Sequence, residues 1–219
     1  PTVDSVGTAL SARSTQYAAL ARSALSRGAE RVQAQDYETA LTEFKRAAAY
    51  DPTLTDTFRN MGRVYELLGR DEEAVAAYRR GIAADTASDV SRQDLASFYM
   101  THNRYAEAET ELKVIVRNNP NSAGPIASLG HIYLSQGRIA EAEQKFERVL
   151  QLAPRDAASH YSRGLVHAKK GEIGDAITEF ERALELRPNY AAARGDLAFA
   201  YFDNGEKEKA QEQITALLD

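Results

Sequence analysis

The chain has 219 residues, 43% of them hydrophobic, a formal net charge of −5 and no cysteine. That is enough apolar material for a substantial core, in one elongated domain or one to two compact ones. The acidic balance lacks the concentrated positive field that nucleic acid or an anionic membrane surface requires, and the missing cysteines exclude disulfide and thiolate chemistry.

No run approaches the roughly 18 apolar residues needed to span a bilayer, so direct membrane insertion is not expected. The first 20 residues lack the charged-then-apolar order of a signal peptide. The chain opens with Pro1 rather than Met, which leaves a removed leader open, and with it the choice between cytoplasm and periplasm.

Residues 1–20 are rich in Ser, Thr and Ala and read as a linker or as a helical extension. Val3, Val6, Leu10, Tyr17 and Leu20 fall near a 3.5-residue period interrupted by Arg13, which predicts a helix from about Ala9 or Ser14 onward. Its apolar stripe would cap the chain segment beyond residue 20, lie in a groove, or pair with another chain.

From residue 21 the chain repeats itself. Pro52, Pro120, Pro154 and Pro188 stand 34 residues or a multiple of 34 apart, and Thr86 holds the missing place. Ala40, Ala74, Ala108, Ala142, Ala176 and Ala210 occupy one column without exception. Six chance matches would have a probability on the order of 10⁻⁵, so the period is real. Gly28, Gly62, Ala96, Gly130, Gly164 and Ala198 form a second small column; Phe44, Tyr78, Leu112, Phe146, Phe180 and Ile214 form a large one.

Gln35, Gly69, Asn103, Gly137, Gly171 and Gly205 mark a place where a helix ends, because Gly and Asn tolerate the left-handed conformation that terminates one. Within a copy, Ile126, Leu129 and Tyr133, then Ala142, Phe146 and Val149, recur at three and four residues. Each period is therefore two amphipathic helices, with a proline corner before the next. The copies span approximately 21–54, 55–88, 89–122, 123–156, 157–190 and 191–219. The Gly130 and Ala142 columns are expected to face each other where the antiparallel helices approach closely.

The segments "LGHIY", "GRIAEAEQKF" and "LAP", followed by "RGLVH", "GEIGDAITEF" and "LRP", resemble the tetratricopeptide repeat. The resemblance covers residues 21–219, with Arg27 and Arg31 departing from the pattern in the first copy and Leu112 in the third. It implies an all-α, right-handed superhelical solenoid of stacked antiparallel helix pairs. It also implies a concave face, lined by the first helix of each copy, that binds a peptide or helix of another protein.

On that implication the inward columns hold Leu25, Ala29 and Val32; Arg59, Arg63 and Glu66; Gln93, Ser97 and Met100; Ala127, His131 and Leu134; Tyr161, Leu165 and Ala168; and Gly195, Phe199 and Phe202. The groove is charged near copy two and apolar toward copies four to six. Leu134, Tyr161, Leu165, Phe199 and Phe202 would take an apolar face, with Arg59 and Arg63 open to an acidic residue. The alternatives are that these side chains pack against neighbouring copies, with Phe199 and Phe202 packing against a further C-terminal helix, or that they serve self-association. A carboxylate clamp of the kind found in chaperone adaptors is not expected, because Asp94 stands where such a clamp needs a donor.

Candidate chemistry is sparse. His160 and His167 occupy packing columns, His102 reads as surface, and His131 alone among the four is expected to face the groove. The acidic sets Glu141, Glu143, Glu147 and Glu206, Glu208, Glu212 are interleaved with Lys and Arg as solvated faces. No metal, cofactor or catalytic set is expected. The sequence thus reads as a non-catalytic interaction scaffold. The competing reading is a homo-oligomerising assembly protein that uses its N-terminal segment or solenoid ends.

Overall fold

The computed structural model describes the backbone of residues 3–218 and the side chains of residues 11–218. Among the described residues there are twelve α-helices and no strand. They are α1 (Val3–Gln33), α2 (Tyr37–Tyr50), α3 (Thr55–Leu67), α4 (Asp71–Ala84), α5 (Val90–Thr101) and α6 (Tyr105–Asn118), then α7 (Ala123–Ser135), α8 (Ile139–Leu152), α9 (Ala157–Lys170), α10 (Ile173–Leu186), α11 (Ala191–Asp203) and α12 (Lys207–Leu218). The architecture is an all-α helical-repeat solenoid.

The chain divides into two compact units. The first runs through Arg104 and the second starts at Tyr105. In the first, α1 pairs with α2 and α3 with α4, and α5 packs on α4. In the second, α6 packs on α7, and α7/α8, α9/α10 and α11/α12 are the hairpins.

Every expected terminator has the left-handed backbone: Gln35 and Asn103 at φ 58° and 56°, and Gly69, Gly137, Gly171 and Gly205 at 68° to 84°. The reversal lets the next amide reach back to a carbonyl five residues earlier. Arg70 N bonds Tyr65 O at 2.8 Å, Arg138 N bonds Tyr133 O at 2.8 Å, and Glu206 N bonds Tyr201 O at 2.8 Å. This bond is the wide one of a Schellman cap, which satisfies a carbonyl the helix would otherwise orphan. Pro52, Pro120, Pro154 and Pro188 each lie two residues past a helix end.

The small column departs from expectation in an instructive way. A Cβ added to Gly130 would lie 2.8 Å from the Phe146 ring, one on Gly62 2.5 Å from Tyr78, and one on Gly164 2.5 Å from Phe180. The glycine makes room for an aromatic ring of the second helix. The alanines Ala40, Ala74, Ala142 and Ala176 are fully buried beside it. Large side chain and missing side chain interlock, the ring occupying the space that a Cβ would take.

Helix α1 runs unbroken from Val3, earlier than the expected start near Ala9, into the first helix of copy one. Tyr17 stacks on Tyr50 of α2 at 6.1 Å between centroids. The side chains of Val3, Val6 and Leu10, also assigned to the N-terminal stripe, lie outside the described residues. Arg27, unexpected at an apolar position, bonds the buried Glu43 at 2.8 Å. Arg163 does the same to Glu179 at 2.9 Å four repeats later. A guanidinium bridging the two helices of a hairpin is thus an alternative filling for that position.

Candidate functional site

In the hairpins α1/α2, α3/α4, α7/α8, α9/α10 and α11/α12, the first helix buries one face against its partner and leaves another uncovered. The middle of the three expected columns is the open one. Ala29, Arg63, Ser97, His131 and Phe199 are exposed, and only Leu165 is half-buried. Phe199 is 72% exposed, far from what a core phenylalanine shows.

The other two columns are partly committed to neighbouring repeats. In the first unit, Arg59 Nε donates to Asp94 Oδ2 at 2.5 Å and Arg59 Nη1 to Asp56 Oδ1 at 3.0 Å. The Asp94 hydrogen bond raises the Arg59 pKa above the ordinary guanidinium value. Arg59 is therefore already paired. Arg63 is exposed and forms no ion pair among the described residues. Glu66 accepts from the Tyr78 hydroxyl, and burial, followed by that carboxylate, pushes the Tyr78 pKa well up.

These side chains border a cleft of about 480 Å³ lined by Arg63, Glu66, Tyr78, Asp94, Ser97 and Thr101, among others. Gln93 is exposed on the same helix as Asp94. The cleft offers one cation, two carboxylates and hydroxyls, a surface suited to hydrogen-bonding polar side chains or an extended backbone.

In the second unit, Tyr161 Oη donates to Asp196 Oδ2 at 2.8 Å. That pair occupies the same two columns as Arg59 and Asp94, three repeats on. The Tyr161 ring also lies 5.0 Å from Tyr190 and 5.8 Å from Phe180. The hydroxyl of this side chain is thus spent on joining repeats. Leu134 is only 8% exposed and belongs to the interior rather than to the open face. His131 is exposed, with its ring edge-on to Phe146 at 5.1 Å. Phe202 is 60% exposed.

His160 Nδ1 lies 2.8 Å from Glu179 and His167 Nδ1 2.7 Å from Glu172, so both packing-column histidines are held by carboxylates. His102 stacks on Phe98 with 4.1 Å between centroids. His167, Glu172 and Asp175 bring ligand-type atoms within 4.8 Å of one another. The Lys170 ammonium, however, already sits 3.0 Å from the Glu172 carboxylate. Hydrogen bonds from His167 and then Lys170 hold that carboxyl below the usual range. A cation there would have to displace the lysine. No described helix is long and apolar enough to cross a membrane.

Comparison with known proteins fits this geometry. A family model described as tetratricopeptide repeat matches residues 19–89 and 128–191, more than half of the chain, and a second of the same description matches residues 167–219. A solved structure of PilF from Pseudomonas aeruginosa superposes with a TM-score of 0.74 at 18% identity, covering 92% of each chain. A tetratricopeptide repeat protein from Parabacteroides merdae gives 0.78 at 17% identity, covering 90% of this chain and 78% of its own. YrrB, described as having an unusual peptide-binding site, gives 0.63 at 19% identity, covering 78% of this chain and 88% of its own. No curated protein sequence matches the chain.

Proposed function

Since the chain belongs to the tetratricopeptide repeat family, whose fold generally mediates protein–protein interactions, we propose that it is a non-catalytic scaffold that binds a peptide or helix of another protein on the open face of its first helices. The observation that carries this reading is the column of Arg63, Ser97, His131, Leu165 and Phe199. It recurs every 34 residues and stays wholly or partly uncovered, while the residues immediately before and after each member are buried.

A column needed for packing would be covered, and a column needed only for solubility would be charged throughout. This one passes from arginine in the first unit to leucine and phenylalanine in the second, so it offers hydrogen-bonding contacts in one unit and apolar contacts in the other. Within the reading, Arg63, Glu66 and Gln93 supply polar contacts; His131, Leu165, Phe199 and Phe202 supply area. Arg59, Tyr161 and Leu134 support them from inside the repeat-to-repeat contacts.

The test is affinity capture from the native host with wild type and a His131→Asp/Leu165→Asp variant whose thermal midpoint lies within a few degrees of wild type. A protein retained by wild type and lost with the variant supports the reading. Identical capture by both rules out this face.

A further inference from the structure

The turn between α9 and α10 differs in charge from the corresponding turn of every other repeat. Counted by the 34-residue period, three places meet there, held in copy four by Tyr133, Arg138 and Glu141 and in copy five by His167, Glu172 and Asp175. Each other copy puts a Lys or Arg at one of the three places: Arg31, Arg70, Arg104, Arg138 or Lys209. Copy five puts none.

In the second unit these cations hold their turns together. The Arg138 guanidinium lies 4.0 Å from the centre of the Tyr133 ring and its Nε donates to Glu141 at 2.6 Å. Lys209 lies 5.1 Å from the Tyr201 ring centre and pairs with Glu206 at 2.6 Å. In copy five the ring has become an imidazole and both other places are carboxylates. Ligand groups have gathered where the built-in positive charge has gone.

Two of these groups are not spent on the helix end they occupy. Glu172 is the N-cap residue of α10 yet makes no side-chain cap hydrogen bond, and its Oε2 lies instead 2.7 Å from His167 Nδ1. Asp175, exposed in the first turn of α10, has no hydrogen bond or ion pair among the described residues.

The backbone beneath them is fixed. Glu172 N bonds His167 O at 2.9 Å across Gly171, whose φ is 78°. The three ligand-type atoms lie within 4.8 Å of one another. A tetrahedral ion about 2.1 Å from each would hold them about 3.4 Å apart. Rotation of the exposed Asp175 side chain closes that difference without moving the helices.

We propose that His167, Glu172 and Asp175 bind one first-row divalent cation such as Zn²⁺, which takes the place that a guanidinium or ammonium fills in the other copies. One imidazole and two carboxylates suit Zn²⁺, Co²⁺ or Ni²⁺, whereas Mg²⁺ and Ca²⁺ take oxygen ligands alone. Lys170, which lies outside the three places, is the competitor, at 3.0 Å from Glu172. The same ammonium lies 3.0 Å from Glu143 of α8, so an entering ion leaves it with one of its two carboxylates. The site is independent of the first-helix column.

The test strips the whole chain with EDTA, dialyses the chelator away, and titrates with ZnCl₂ by calorimetry and with CoCl₂ by visible absorption. One saturable site per wild-type chain is expected, with Co²⁺ bands and a raised thermal midpoint in Zn²⁺. His167→Gln and Asp175→Ala should each weaken Zn²⁺ binding about tenfold or more. Asp175→Ala, at an exposed position, carries the test if His167→Gln lowers the helix content. Lys170→Met should tighten binding, because it removes the competing charge. Lack of saturable Zn²⁺ binding overturns the proposal, as does binding indifferent to both ligand variants, which would mark scattered surface groups. Binding that appears only in Lys170→Met overturns it too, because the lysine would then be the cation of this turn.

Discussion

The Tyr161 hydroxyl donates to the Asp196 carboxylate at 2.8 Å, and the two residues belong to first helices of successive repeats. Arg59 and Asp94 make the equivalent link at 2.5 Å in the first unit. One column of first helices thus serves the contact between repeats while its neighbour faces outward. The pair also makes the tyrosine a structural residue before it is anything else. Tyr161→Phe should cost about 1 kcal/mol, below the usual range for a hydrogen bond to a charged acceptor because the site is only half-buried. Urea denaturation at pH 7 measures it, and an unchanged midpoint would mean that the bond is not formed in solution.

The same bond has a consequence at alkaline pH. Burial first, and the Asp196 charge with it, raises the Tyr161 pKa above its ordinary value of 10.0. A raised pKa means that the folded state favours the protonated hydroxyl. The contribution is complete below the unfolded value and is lost as pH rises through the folded one. Wild type should therefore lose stability above about pH 10, and Tyr161→Phe should lose less. Parallel alkaline slopes for the two proteins would contradict this.

Glu109 gives the mirror case in acid. Burial opposes its ionisation, but hydrogen bonds from Lys113, Arg138 and Tyr133 outweigh burial and hold the carboxyl below its ordinary value of 4.5. Tyr133 Oη lies 3.1 Å from it and Arg138 Nη1 2.9 Å. With a lowered pKa the contribution is present above the unfolded value and disappears as pH falls through the folded one. Glu109→Gln should be less stable than wild type at pH 7, and the two should converge as pH falls below about 4. A gap that stays constant down to pH 2 would show that the charge is not what matters.

Two glycines of one hairpin should respond in opposite directions to alanine. At Gly164 a Cβ would meet the Phe180 ring at 2.5 Å, so Gly164→Ala should cost about 1–3 kcal/mol by overpacking, and Phe180→Leu in the same chain should recover part of it. At Gly174, inside α10, nothing lies within 4 Å, so Gly174→Ala should be neutral or stabilising by up to ~1 kcal/mol. Thermal melts of the four proteins decide it; equal effects at both sites would contradict the ring-over-glycine account.

Much of this fold is legible in the sequence because its determinants are local and periodic. The proline corners and the Gly/Asn column act within one turn of chain, so numbering alone exposes them, and even Gln35 takes the left-handed backbone its column demands. The partner of Gly130 was less visible. A small residue signals close approach without saying whether an alanine or a ring fills the space, and the Phe146 ring does.

The site was legible by column and not by side chain. Arg63 and His131 face solvent as their positions suggest, whereas Arg59 and Tyr161 are held by aspartates 35 residues away, a separation that period-counting does not reveal. Leu134 is buried although it shares a column with the exposed Phe202. That difference depends on what packs beside each helix, which a single-copy pattern omits. Ile214 belongs to the large column by its spacing, and only its 43% exposure, beside the exposed Leu217, Phe199 and Phe202, shows that it is not covered as Phe180 is.

The most direct test of the central claim, that the uncovered first-helix column is where a partner is held, is site-specific photocrosslinking in the native host. A photoreactive phenylalanine analogue is placed at His131, and separately at Glu147 on the exposed face of α8. A discrete crosslinked protein from position 131 and none from 147 is the predicted result. Crosslinking from 147 alone, or equally from both, would contradict the claim.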